Sequence, residues 1–236
     1  YIFREITMNE LDFERIWLAR FGDCIEDEAG PEAREQILAG SDALAMSSTR
    51  EEVIRWTRQA MDLLEEQFSE SQQRAIMSGC ACRYPSSNLE DARALYEETG
   101  DINQVHALLQ EKFEFFLSKD LGLDMDLIEE IVSRNWGLAG RMEGGKIIAT
   151  KIPKSGNLKR YMGEKDPEIR RSLYCHCPRV KEAPKLGELL PKTYCYCGAG
   201  FYKDIWEQII QQPVEVEVLE SVLTGGDECR IAIHLP

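Results

Sequence analysis

From the amino terminus to about residue 140, apolar side chains recur at the three- and four-residue steps of a helix. Phe13, Ile16, Trp17 and Phe21 keep that spacing. So do Val53, Ala60, Met61, Leu64 and Phe68, then Ile102, Val105, Leu109, Phe113 and Phe116, and then Leu127, Ile128, Ile131 and Val132. Each set is a single apolar stripe, the mark of a helix with one buried face. Start signals precede two of them and one further helix. Ser48-x-x-Glu51, Ser69-x-x-Gln72 and Asp101-x-x-Gln104 read as helix openings of the capping-box kind, and the helix after Ser69 runs out at Gly79.

The pattern changes at Gly144-Gly145. Lys146–Pro153 reads as a strand, and a polar stretch from Ser155 to Asp166 follows. A further helix is expected from Gly200 to Gln211, with Phe201, Ile205 and Ile209 inward. The chain then closes with Val214–Val222, a Gly225-Gly226 turn and Cys229–His234, a β-hairpin. No repeat of solenoid length is visible. The expectation is an α+β protein: a helical region over residues 1–143, and a region over 144–236 with a small antiparallel sheet, the two packed together or intertwined as one domain.

Composition narrows the function. In 236 residues, 43% are hydrophobic and 30% charged, ordinary values for a globular chain able to bury a core. The net charge of −14 argues against nucleic acid and against an anionic membrane surface, because both need clustered Lys and Arg. No apolar run approaches the roughly 20 residues of a membrane span. The sequence opens at Tyr1 with no apolar secretory segment, so a cytoplasmic protein is expected. A small-molecule ligand is the expected partner, and a homo-oligomer is compatible with the pattern.

The cysteines carry the candidate chemistry. Six of the eight stand as Cys-x-Cys pairs, Cys80/Cys82, Cys175/Cys177 and Cys195/Cys197, with Cys24 and Cys229 alone. This density is too low for a disulfide scaffold, and clustered cytosolic thiols more often serve metal or catalysis. Cys195 and Cys197 lead into a helix, whose positive end favours thiolate. Cys80, Cys82, Cys175 and His176 are candidates for a ligand pocket, His176 being placed to orient or activate a neighbouring thiol. His106, on a helix of apolar and acidic residues, reads as a partner for a Glu, and Cys24 as inert.

The closing hairpin adds a carboxylate. Strand side chains alternate faces. Val214, Val216 and Val218 share a face that continues to Glu220, while Cys229, Ile231 and Ile233 share one on the other strand. Whichever Gly-containing turn joins the strands, Glu220 and Cys229 stay on one face. A carboxylate aimed into an apolar interior needs a partner, and a metal ion or an arginine would serve.

The segments Tyr194-Cys-Tyr-Cys-Gly-Ala-Gly-Phe-Tyr-Lys, Pro213-Val214, Glu220 and Gly226-Asp-Glu-Cys-Arg-Ile-Ala-Ile-His-Leu resemble the V4R (4-vinyl-reductase-like) family of small-molecule-binding domains. They also look like the related bacterial proteins of aminothiazoline-carboxylate hydrolase type. The resemblance is confined to the carboxyl-terminal third. It implies a sheet backed by helices around a ligand cavity, with a structural zinc. Cys197 would match the first ligand, Glu220 the second and Cys229 the last. The family's remaining cysteine position is Leu223 here, so Cys177 or Cys195 would have to complete the set. The expected metal residues are therefore Cys177, Cys195, Cys197, Glu220 and Cys229, with zinc the favoured ion. The hydrolase kinship implies instead opening of a C–N bond in a small molecule, by metal-bound water or by a cysteine thiolate. An iron–sulfur protein is the weakest reading, since Cys-x-Cys matches no ferredoxin run.

Overall fold

The structure, a computed structural model, describes residues 10–44 and 48–236, excepting the side chains of residues 10–13. The expected place of Phe13 on the first stripe lies outside the described residues. The fold is α+β, as expected: helices come first, and the strands of a small antiparallel sheet gather toward the carboxyl terminus. The chain divides into two compact units. One comprises residues 10–82 and Cys175–Gly200; the other comprises Arg83–Tyr174 and Phe201–Pro236. The break expected between residues 143 and 144 falls inside the second of these, at a turn between two paired strands.

The first unit is helical. Helix α1 (Glu10–Ala29) buries Trp17, Phe21 and Ile25, and packs against α2 (Pro31–Ile37). Helix α3 (Arg50–Gln67) buries Val53, Ile54, Ala60, Met61 and Leu64. Its cap corrects the sequence reading by one residue. Thr49, not Ser48, is the N-cap. Its hydroxyl accepts from the Glu52 amide, and Glu52 reaches back to the Thr49 amide at 2.7 Å. The Ser48 hydroxyl donates to the Ala43 carbonyl instead, at 3.0 Å. Two adjacent Ser/Thr-x-x-Glu frames compete here, and the frame that turns the apolar stripe inward wins. Helix α4 (Glu70–Gly79) opens with the Ser69/Gln72 capping box where it was expected and ends with Cys80 as its C-cap.

The second unit begins with α5 (Glu90–Thr99), stopped by Gly100 at φ 63°. Helix α6 (Ile102–Phe115) follows. Asp101 caps it by accepting from the Asn103 amide at 2.8 Å. Gln104 bonds the Asp101 side chain rather than its amide, so the reciprocal half of the box is absent at this helix. A π-helical turn (Phe116–Asp120) leads to α7 (Met125–Ser133). Strands β1 (Arg141–Glu143) and β2 (Lys146–Thr150) form a hairpin, short helices α8 (Leu158–Gly163) and α9 (Pro167–Tyr174) follow, and β3 (Glu215–Glu220) and β4 (Arg230–His234) complete the sheet in the order β1-β2-β4-β3. The strand expected to reach Pro153 stops at Thr150, and the polar stretch 155–166 holds α8. Phe113, Phe116, Ile131, Trp136, Tyr161 and Tyr174 form one apolar cluster, with Cys229 at its border.

Helix α10 (Pro178–Glu182) belongs to the first unit. Helix α11 (Tyr196–Ile210) starts four residues earlier than Gly200, so Cys197 lies in its first turn. The unit division falls within it, after Gly200. Among the described residues no helix is long and apolar enough to cross a membrane.

Candidate functional site

The hairpin departs from simple alternation. β3 pairs β4 in constant register from Glu215↔His234 to Val218↔Ile231, then a bulge sets Glu220 opposite Arg230. One extra residue in one strand reverses which face the next side chain takes. Glu220 therefore joins Arg230, with Oε2 2.9 Å from the guanidinium Nε, and does not share a face with Cys229. Its Oε1 accepts from the backbone N–H groups of Asp227 (3.1 Å) and Glu228 (3.4 Å). The connection is a nine-residue structured loop, residues 221–229, rather than a two-residue turn, built on a 3-10 turn at Val222–Thr224 and on Gly225 at φ 88°. Gly226 allows the close approach of Glu220: a Cβ there would lie 2.6 Å from Glu220 Cγ. Glu220 is a loop anchor with an arginine partner, so the stranded carboxylate that called for a metal does not exist.

Cys229 is half-buried in the same unit. Its amide donates to Tyr174 Oη at 3.0 Å, its carbonyl accepts from the Lys151 amide at 3.0 Å, and burial pushes its thiol above the usual range. His106 bonds the Gly140 carbonyl at 2.9 Å, not a glutamate. A shallow cleft of about 360 Å³ also lies in this unit, bordered by Arg83, Tyr84, Ser86, Arg93, Asp204 and Gln208. Burial raises the Tyr84 hydroxyl there to about 12. None of the residues expected at a site lines it.

The other thiols lie in the helical unit. Cys177 is half-buried at the N-cap of α10, with Sγ 3.5 Å from Tyr194 Oη. Behind Tyr194 stands Arg179, only 1% exposed. Arg179 donates to Tyr194 Oη at 3.3 Å and pairs with the buried carboxylate of Glu14, which also takes Arg50 at 3.0 Å. The guanidinium lies over the Trp17 ring, 4.4 Å from its centroid. Burial opposes charge on Arg179, but Tyr194, Cys177 and Glu14 outweigh it and raise its pKa. Burial is also the main reason that the Tyr194 hydroxyl is held well above the usual tyrosine range. Two donors in this group, Arg179 Nε and Trp17 Nε1, have no acceptor among the described residues.

Cys80 is fully buried. Its thiol donates to the Met77 carbonyl at 3.3 Å, and Cys197 is its neighbour in the same unit. Burial, and then Cys197, push its pKa well up. Cys24 is not remote from this pair: a Cβ on Gly79 would lie 2.7 Å from Cys24 Sγ. Cys175 and Cys195 are half-buried in the same unit, and Cys82 and His176 are exposed there.

Of the expected residues, the first unit thus brings Cys80 to Cys197 and places Cys177 on Tyr194, while Glu220 and Cys229 stand in the other unit. Among the described residues, no group of three or more Cys, His, Asp or Glu side chains is arranged to hold a metal ion. Of the supporting residues, Trp17 was read only as part of an apolar stripe and Tyr194 only within the family-like segment, while Glu14 and Arg179 were not singled out from sequence. One signal was available: Glu14 sits three residues before Trp17 and seven before Phe21, an acid on an apolar stripe.

The fold and site define a class, an α+β protein whose helical unit holds one buried and several half-buried thiols, one of them joined through Tyr194 to a buried arginine–glutamate pair. Residues 163–236 are similar to the model of a family described as "Family of unknown function (DUF6144)". No curated protein and no solved structure matches the chain. The matched segment includes Cys175, Cys177, Cys195, Cys197, Glu220 and Cys229.

Proposed function

We propose that this protein binds a small molecule beside Cys177 and that the Cys177 thiol is its reactive group, in a hydrolysis of a C–N bond. The observation that carries this reading is the hydrogen-bonded line Glu14–Arg179–Tyr194–Cys177. A guanidinium can only donate. With Arg179 donating to Tyr194 Oη, the tyrosine's own proton is available for donation to the sulfur. A donor aimed at sulfur with a cation behind it would support a thiolate attacking an electrophilic carbon. The C–S bond would form as the C–N bond breaks, the leaving nitrogen taking a proton, and water would then release the product and restore the thiol. The unmet donors on Arg179 and Trp17 would take polar atoms of the ligand.

Competitive alkylation with mass mapping tests this. Cys177 should react faster than the more exposed Cys82, and Tyr194→Phe should slow it by about tenfold, the scale of one lost charge-supporting hydrogen bond. Amine release from a panel of small cyclic amides and amidines should vanish in Cys177→Ser. Equal alkylation of Cys82 and Cys177, unmoved by Tyr194→Phe, would refute the reading.

A zinc-binding protein of V4R-like type is the second reading, favoured by the meeting of Cys80 with Cys197 and of Cys177 with Tyr194. The expected donor set does not fit it as drawn, because Glu220 is engaged by Arg230. Elemental analysis decides. One zinc per chain, lost in Cys177→Ser and Cys197→Ser, would support it; metal-free protein that takes up no added zinc would remove it.

A further inference from the structure

Cys80 and Cys197 are 117 positions apart in sequence, and backbone packing brings them together. Gly200 is one helical turn beyond Cys197 in α11, so the two share a face. Gly200 has no room for a side chain: a Cβ there would overlap the Ser78 carbonyl and lie 2.7 Å from Ala81 Cβ. The first turn of α11 is therefore pressed, backbone to backbone, on the end of α4, at residues flanking Cys80. This contact brings Cys197 beside Cys80, near enough for its thiol to raise the pKa of the other. Cys80 is wholly buried, whereas Cys197 is partly accessible. One sulfur can meet a solution oxidant, and the other waits behind it.

We propose that Cys197 and Cys80 are a peroxidatic and resolving pair that closes to a disulfide under hydroperoxide. In the first step, the Cys197 sulfur attacks the peroxide, the O–O bond breaks, and the products are a sulfenic acid and one molecule of alcohol or water. In the second, the Cys80 sulfur attacks the sulfenic sulfur, an S–S bond forms as the S–O bond breaks, and water leaves with the thiol proton. The peroxide is reduced by two electrons and the thiol pair is oxidised by two. Closure needs the two neighbouring sulfurs to come together to a bond of about 2.05 Å. The proposal does not depend on the reaction assigned to Cys177.

Peptide mapping of the full chain, chelator-treated and exposed to hydrogen peroxide, tests it. The expected result is a mass lower by two hydrogens and a linked peptide pair containing Cys80 and Cys197, released by a thiol reductant. Cys80→Ala should convert the product to sulfinic acid on Cys197, while Cys24→Ala should leave the linkage intact. Since the wild-type map alone is decisive, a variant that does not fold leaves the test standing. Linkage of Cys197 to Cys195 or Cys177, linkage of Cys80 to Cys24, or oxidation that produces no crosslink would overturn the proposal. Amine release that survives in the crosslinked protein, or fails in the reduced one, bears on Cys177 alone.

Discussion

At Glu220 the carboxylate has three partners within its own hairpin: the Arg230 guanidinium and the amides of Asp227 and Glu228. The Glu220 side chain is 29% exposed and that of Arg230 49%, so the ion pair itself is worth little after solvent screening. The anchor's value lies in ordering the loop over Gly226. Glu220→Ala should therefore cost about 1 kcal/mol in denaturant unfolding, and Glu220→Gln less. Neither should change metal content. A protein that binds zinc and loses it in Glu220→Gln would show that the bulge does not hold and that the carboxylate faces the thiols after all.

The helix starts show competition between neighbouring frames. Ser48 and Thr49 each precede a Glu by three residues, and only Thr49 caps α3. Thr49→Ala should lower stability by about 1 kcal/mol, while Ser48→Ala should change it by no more than a few tenths; thermal unfolding of the two variants reads the difference directly. Equal effects would mean that the cap is shared between frames. At α4 no second frame competes, and Ser69 with Gln72 forms the box that the sequence announces. At α11 the expected start, Gly200, was four residues late. Gly200 is kept there by the Ser78 carbonyl lying against it, a reason found in tertiary packing.

Taken as a whole, the protein buries acids that must keep their protons. Cys80 is raised well above its ordinary 9.0, chiefly by burial, and Cys229 is raised for the same first reason. Tyr174 and Tyr194 are raised well above 10.0, again by burial. Each group binds its proton more tightly folded than unfolded. Its contribution is complete below the unfolded pKa and is lost as pH climbs toward the folded one. Stability should hold to about pH 9 and then fall, with a steeper decline beyond pH 10 as the tyrosines join. A thermal midpoint followed through the alkaline range checks this, and Tyr194→Phe should flatten the slope. A midpoint that stays level past pH 10 would show that these groups titrate at their ordinary values in the folded chain.

Sequence alone determined what depends on neighbours a few residues apart. The helical stripes of α3, α6 and α7, the Ser69 cap, the strands of the closing hairpin and the α+β class all follow from local period and turn chemistry. Sequence also marked the cysteines as the place to look. Tertiary structure decided which sulfurs meet. Cys80 joins Cys197 because a glycine one turn away lets two backbones touch, and no periodicity encodes that distance. It also decided the fate of Glu220, since a single bulged residue reverses a face that alternation would keep. The buried Glu14–Arg179–Tyr194 line behind Cys177 unites three separate stretches of chain, and long-range pairing of this kind leaves no periodic mark in any one of them.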